Sequence, residues 1–429
     1  MNMDDYLKDL QPFEVCSIRP PTENYSLTFK LARNCYWNKC AFCPVYKFGS
    51  RFSKRSREEV LADMDRAKKI DDALFDAGII GMFSGGSGYD RLQELVDRVR
   101  RVQGIRDAGE EDDGVRENLD PRLAWFLPWF RERPGLEDSL QHVYSWRMGG
   151  GRTCFLGDAD SLIWEPEFLA AAIQGVKKRF STIERFSVYG RTRSAARLRS
   201  DRDLREYRKA GLDRVHFGLE SGSDAVLKLM SKGETRAEHI EGMIKTREAG
   251  LSCSVYVMPG LGGRDLSEEH ARDTAEVITR AKPDFVRLRS LQIFPGTPLE
   301  KMTAQGGFRE ADEEAVAREI RVMVEEIGTE TEIMSDSASN LLDVNGRLPR
   351  DRGAMLAVID AYLGLPSRDK LLFSLRSRVD SFIGQYGGLS RDIHQALIPF
   401  IKGNTLDASD ATEDELRGII DLIRSRLMP

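Results

Sequence analysis

Three cysteines fall within the nine-residue run CYWNKCAFC, which puts Cys35, Cys40 and Cys43 on one short segment of a 429-residue chain. Thiolates this close in sequence can converge on a single inorganic centre. A 4Fe-4S cube held by only three of them keeps one iron free for an exogenous ligand, and open coordination is what chemistry at a metal needs. The same spacing could seed a tetrahedral zinc site completed by Cys16 or a histidine, although zinc sites usually take ligands in two close pairs and this chain offers one. The six cysteines are too few for a disulfide scaffold. Cys16, Cys154 and Cys253 stand far apart among apolar or β-branched neighbours, the setting of reduced core thiols, and form no second close set for a further cluster.

Further polar groups punctuate the downstream sequence. YGRTRS carries Tyr189, Arg191 and Arg193, and either guanidinium could clamp a carboxylate bidentately. VMPGLGG carries Gly260, Gly262 and Gly263, which permit close backbone approach to a flat ligand such as adenine. In GDAD, Asp160 with Ser161 precedes a helix and reads as its cap. Cys253 and Tyr189 each carry a transferable hydrogen, but both residue types more often serve in a core.

CYWNKCAFC with the PVYK after it, the later HFGLESGS and LMSKGET, and FPGTPL further on together resemble the radical S-adenosylmethionine superfamily, over roughly residues 25–300. This loop has four and then two intervening residues, where the commonest spacing of that family is three and then two. Longer first spacings occur in several branches, and WNKCAFC followed by PVYK is similar to one broadly distributed, poorly characterised group. The resemblance implies that Cys35, Cys40 and Cys43 ligate a 4Fe-4S cluster whose open iron chelates S-adenosylmethionine. It also implies that Phe42 lies near the adenine, that Gly157 and Asp158 receive the cofactor's amino group, and that Glu220 faces the cofactor. Lys232 then stands against the methionyl carboxylate. A carboxylate at Glu220 can accept ribose hydroxyls or hold an ammonium, whereas a lysine at a helix end can also simply complement the dipole. An external one-electron reductant of the flavodoxin or ferredoxin type would cleave the sulfonium, giving methionine and a 5′-deoxyadenosyl radical that abstracts hydrogen from a substrate the sequence does not name. Two other functions compete with this one: a non-catalytic iron-sulfur electron carrier or scaffold, and a zinc-stabilised α/β binding module.

The elements that must position these residues follow from periodicity. Residues 25–33 alternate as a half-buried strand running straight into the cysteine loop, and apolar spacing over 56–77 predicts the helix after it. From TCFLGDAD to DFVRLRSLQIF, strands alternate with helices, the pattern of βαβ units and a parallel sheet. Six such units predict an α/β fold, a partial (β/α)6 TIM-like barrel, whose strand ends carry the ligand sites. Residues 1–24 read as an N-terminal extension, 25–300 as the barrel with an insertion at about 84–150, and 301–429 as a mostly helical C-terminal region. The insertion's WFLPWF and Trp146, with the helical tail, are candidate lid residues; Asp336, Ser337, Ser339 and Asn340 in SDSASN could reach the barrel mouth or form a turn. Lys plus Arg number 64 against 69 Asp plus Glu, a net charge of −5 with both signs interspersed, so neither nucleic acid nor membrane is advertised as a partner. The start lacks the basic and apolar pattern of a signal peptide, and no apolar run is long enough to cross a bilayer, which predicts a cytoplasmic protein.

Overall fold

A computed structural model describes residues 3–16, 18–47, 51–81, 88–104, 135–403 and 405–427. The chain lays down β1 (Leu27–Lys30), a short antiparallel pair of β2 (Ala32–Arg33) and β3 (Ser53–Lys54), and then β4 (Thr153–Gly157) and β5 (Arg185–Gly190). There follow β6 (Arg214–Glu220), β7 (Ser252–Val257), β8 (Phe285–Leu288), β9 (Thr331–Met334) and β10 (Gly346–Leu348). One eight-stranded sheet takes the order β1-β4-β5-β6-β7-β8-β9-β10. Every neighbouring pair from β1 to β9 is parallel, and β10 alone is antiparallel. Among the described residues the two ends of the sheet do not pair with each other, so the barrel is partial.

Strand alternation explains how the sheet has two different faces. Phe186, Val188, Val215, Phe217, Val255, Val257, Val286 and Leu288 join one large core with Ile173, Leu204, Met243 and Ile278 from the crossover helices. The residues between them, Ser187, Tyr189, His216, Ser254, Tyr256 and Arg287, share the opposite face, where the register sets Tyr189 beside His216, His216 beside Ser254 and Tyr256 beside Arg287. Closed barrels usually fill this space with branched apolar side chains. Here it is polar. Helix starts are locally encoded: Ser56 with Glu59, Ser200 with Asp203 and Thr235 with Glu238 each form a reciprocal capping box.

Three sequence expectations need correction. The sheet does not stop at six parallel strands, because the apolar piece near Ile333 enters as β9, parallel to β8, and β10 follows at 346–348; four residues, TEIM, are too few for a periodicity signal. Beyond residue 300 the two strands therefore interrupt the helical region, after the helices Pro298–Ala304 and Glu313–Glu326 and before the later ones, of which those at 367–386 and 413–425 share a second core around Leu375, Phe382, Leu416 and Ile420. Trp146 is no lid: it is fully buried on the helix Leu136–Met148, edge-on to Phe180 at 5.4 Å. The helix Gly88–Gln103 likewise sends Leu92, Leu95, Val96 and Val99 into the main core. The WFLPWF run at 125–130 lies outside the described residues. Among the described residues, no helix is long and apolar enough to cross a membrane.

Candidate active site

The pairing of β2 with β3, Ala32 with Lys54 and Arg33 with Ser53, pins both ends of the cysteine loop directly after β1. Asparagine tolerates the left-handed region better than most residues, and Asn34 (φ 65°) and Asn38 (φ 40°) make the loop's two sharp bends. The Asn34 side chain accepts from the Cys35 amide at 2.6 Å, and Lys47 Nζ donates to the Asn38 carbonyl at 2.6 Å. The far side of the loop is docked by distant elements. Ala41 donates to the Met230 carbonyl at 2.8 Å and accepts from the Leu299 amide at 3.0 Å. Trp37 Nε1 donates to the Ser231 carbonyl at 2.9 Å, and its ring lies on Gly233, where an added Cβ would fall 2.0 Å from Trp37 Cζ2.

Cys35, Cys40, Cys43, Phe42, Tyr189, Arg191, Glu220 and Lys232 all line one cavity of about 220 Å³ at the carboxyl ends of the strands. Glu220 reaches it through an irregularity: β6 shifts register between Gly218 and Glu220, and Glu220 adopts φ 62°. A bulge at a strand end re-aims a side chain in this way. Gly218 leaves the room, since a Cβ there would stand 2.3 Å from Glu220 Oε1 and 2.9 Å from Lys232 Nζ. Lys232 Nζ lies 3.3 Å from Glu220 Oε1 and 3.6 Å from Glu234 Oε2. Arg191 is buried, its Nη2 3.1 Å from Glu234 Oε2, with its guanidinium 4.9 Å from the Trp37 ring. Although burial alone would raise it, the Glu234 carboxyl is held down at about 2 by Lys232, His239 and Arg191.

Burial pushes all three loop thiols up, Cys43 to about 12, with Cys40 and Cys35 adding to the rise at Cys43. Against that rise, Lys232 and Arg191 favour the thiolate of Cys40, and Arg191 favours that of Cys35. Among the described residues, no three His, Cys, Asp or Glu side chains gather closely enough to hold a single metal ion. A 4Fe-4S cube takes its thiolates at different corners rather than at one point. Three thiols on the wall of one cavity, beside two buried cations, fit that donor set.

Other expected residues sit elsewhere. Neither Gly157 nor Asp158 lines the cavity; Tyr46 donates to Asp158 Oδ1 at 2.5 Å, Gly157 backs onto Cys16, and Ala159 is the residue of that turn on the wall. Gly260 faces a separate, smaller cavity, and its amide donates to Glu319 at 2.6 Å. Arg193 points outward with its side chain 52% exposed. Ser339 reaches the wall, while Asn340 is used up by Ser290 and the Leu288 carbonyl, and Asp336 pairs with Arg287. Asp160 caps the turn Ser161–Ile163 as expected, and it also accepts from the Arg191 amide and from Ser194. Cys16, Cys154 and Cys253 are fully buried. Sequence reasoning missed Trp37, Tyr46, Glu234 and Arg289; for Glu234 the available signal was an acid two residues after Lys232 and just before a capping box.

Residues 134–276 match the sequence profile of a family described as the Radical SAM superfamily. A tRNA uridine(34) acetyltransferase of Methanocaldococcus infernus is 28% identical over 27% of this chain and 22% of its own length. A tRNA-2-methylthio-N(6)-dimethylallyladenosine synthase of Chlorobium phaeobacteroides is 26% identical over 40% of this chain and 38% of its own. The chain thus spans less than half the length of these curated relatives. Among solved structures, methylornithine synthase superposes with TM-score 0.40 at 12% identity over 83% of each chain, and the archaeal Elp3 of Methanocaldococcus infernus with 0.39 at 18% identity over 52% of this chain and 57% of that one.

Proposed function

We propose that this chain, whose residues 134–276 match the Radical SAM superfamily, is a radical S-adenosylmethionine enzyme whose Cys35, Cys40 and Cys43 hold a 4Fe-4S cluster open to S-adenosylmethionine. The observation that carries the proposal is the meeting of those three thiols with Arg191, Glu220 and Lys232 on one cavity wall. When bound and reduced, the cluster would supply the electron that splits the sulfonium into methionine and a 5′-deoxyadenosyl radical for hydrogen abstraction from a substrate.

The chain's own residues do the positioning. Lys232 and Arg191 offset the charge of the loop thiolates and present cations to a carboxylate in the cavity. Glu220 holds the Lys232 ammonium with one oxygen, leaving its other oxygen to accept a hydroxyl or an ammonium. Phe42 contributes an apolar surface, and Tyr189 and Tyr256 line the same cavity. Asp158 braces the loop through its hydrogen bond from Tyr46. Buried free thiols suit a reducing compartment, so the proposal includes a cytoplasmic location and an external reductant of the flavodoxin or ferredoxin type. Metal analysis after anaerobic reconstitution tests the proposal: about four iron and four sulfide per chain are expected, lost together in Cys43→Ala. One zinc with no acid-labile sulfide would overturn it.

A further inference from the structure

The cavity is flanked by two buried cations that come from different βα units, Arg191 after β5 and Lys232 after β6. Each has one partner in common. Glu234 Oε2 lies 3.1 Å and 3.2 Å from Arg191 Nη2 and Nε, and 3.6 Å from Lys232 Nζ. Its other oxygen, Oε1, accepts from Thr192 Oγ1 at 2.8 Å and from the Arg193 amide at 2.9 Å. The Glu234 side chain is wholly enclosed, and Glu234 itself is not on the cavity wall. Arg191 Nη2 also donates to the Lys232 carbonyl at 2.5 Å, so the β5 turn and the turn 232–234 are tied twice. After these bonds Arg191 Nη1 is buried with no hydrogen-bond partner among the described residues, on a residue that lines the cavity.

We propose that Glu234 is the positioning residue that fixes the Lys232 ammonium and the Arg191 guanidinium as a matched pair, leaving one N–H edge of Arg191 and the Lys232 ammonium turned to an anionic group in the cavity. Resting on the reading of the site as an S-adenosylmethionine site, this makes the methionyl carboxylate the group so held, between two cations rather than against Lys232 alone. Glu234 and Glu220 together balance the two cations, so both can stay charged while buried, and what Glu234 adds is direction: it fixes which N–H groups of Arg191 and Lys232 remain for a ligand anion. Oε1, anchored to Thr192 and the Arg193 amide, prevents Glu234 from turning into the cavity and competing for that anion.

The test measures S-adenosylmethionine affinity by titrating the reconstituted, reduced cluster and following its paramagnetic spectrum, alongside iron and sulfide content. Glu234→Gln is expected to keep its iron and sulfide but bind S-adenosylmethionine roughly 10- to 100-fold more weakly, the usual effect of removing a residue that orients ligating groups. Glu234→Asp, which keeps the charge, recovers most of that loss. Thr192→Val, which removes one anchor and no charge, weakens binding roughly three- to tenfold, and it decides the matter should the Gln variant fail to fold. A Glu234→Gln protein that binds within twofold of wild type overturns the assignment, as does equal loss of iron and of affinity in all three variants, which would make the role structural. Wild-type protein that loads iron and sulfide yet shows no spectral response to S-adenosylmethionine overturns the functional reading itself.

Discussion

At the scale of single residues, the site depends on two close approaches that only glycine permits, Gly218 beside Glu220 and Lys232 and Gly233 beneath Trp37. Gly233 adopts φ +69° with the Trp37 ring where a Cβ would be. Gly233→Ala should therefore push Trp37 off the turn and lower stability by about 1–3 kcal/mol, with iron loading falling as the loop loses its dock. Thermal melting and iron per chain measure both; unchanged loading would mean that the Trp37 contact does not hold the cysteines. Lys232→Met keeps the apolar stem and removes the charge, so S-adenosylmethionine affinity should drop at least tenfold with the cluster intact, by titration of the reconstituted protein. The cysteine triad, Glu220 and Lys232 were legible in the sequence because each lies in a compact phrase of local spacing. Trp37 and Glu234 were not. Their meaning comes from partners such as Ser231 and Arg191, far away along the chain, and nothing in the local run distinguishes a docking tryptophan from a surface one.

At the scale of elements, the helix Glu313–Glu326 shows how a turn that resembled a ligand site became a structural joint. Its Glu319 is buried and accepts from the Gly260 amide and from Ser267 at 2.6 Å each, and burial pushes the carboxyl up to about 7. Three clustered glycines suggest an approach to adenine at Gly260, but the acid that uses its amide lies 59 residues later. Since the folded pKa exceeds the unfolded value near 4.3, the native state binds more protons between those limits. Stability is then fully present below about pH 4.3 and falls as pH rises to 7, by up to about 3 kcal/mol. Urea midpoints at pH 5 and pH 8 should show a larger drop for wild type than for Glu319→Gln. Equal drops would contradict the assignment. The strands β4 to β8 were readable from alternation because their apolar positions meet helices, whereas β9 is defined only by its neighbours.

At the scale of the whole molecule, a parallel sheet with a polar inner face opens at its carboxyl ends into the thiol-lined cavity, and a second helical core is attached beyond it. That attachment includes Arg378, buried, with Nε 2.8 Å and Nη2 2.5 Å from Glu313 Oε1. Arg378→Ala should cost about 2–4 kcal/mol by leaving the Glu313 carboxylate without its cation, and hydrogen exchange should speed up first in the helices at 367–425. The partial barrel was legible because βαβ alternation is a long-range rhythm written in local periodicity; the second core was not separable from the first, since helical spacing does not say which helices share a core. On the proposed function, all of this architecture serves one event at the cysteine loop. The most direct measurement is 5′-deoxyadenosine formed when anaerobically reconstituted protein is mixed with S-adenosylmethionine and dithionite: wild type is predicted to release it and Cys40→Ala to release none. Iron- and sulfide-replete wild-type protein that forms no 5′-deoxyadenosine would contradict the account.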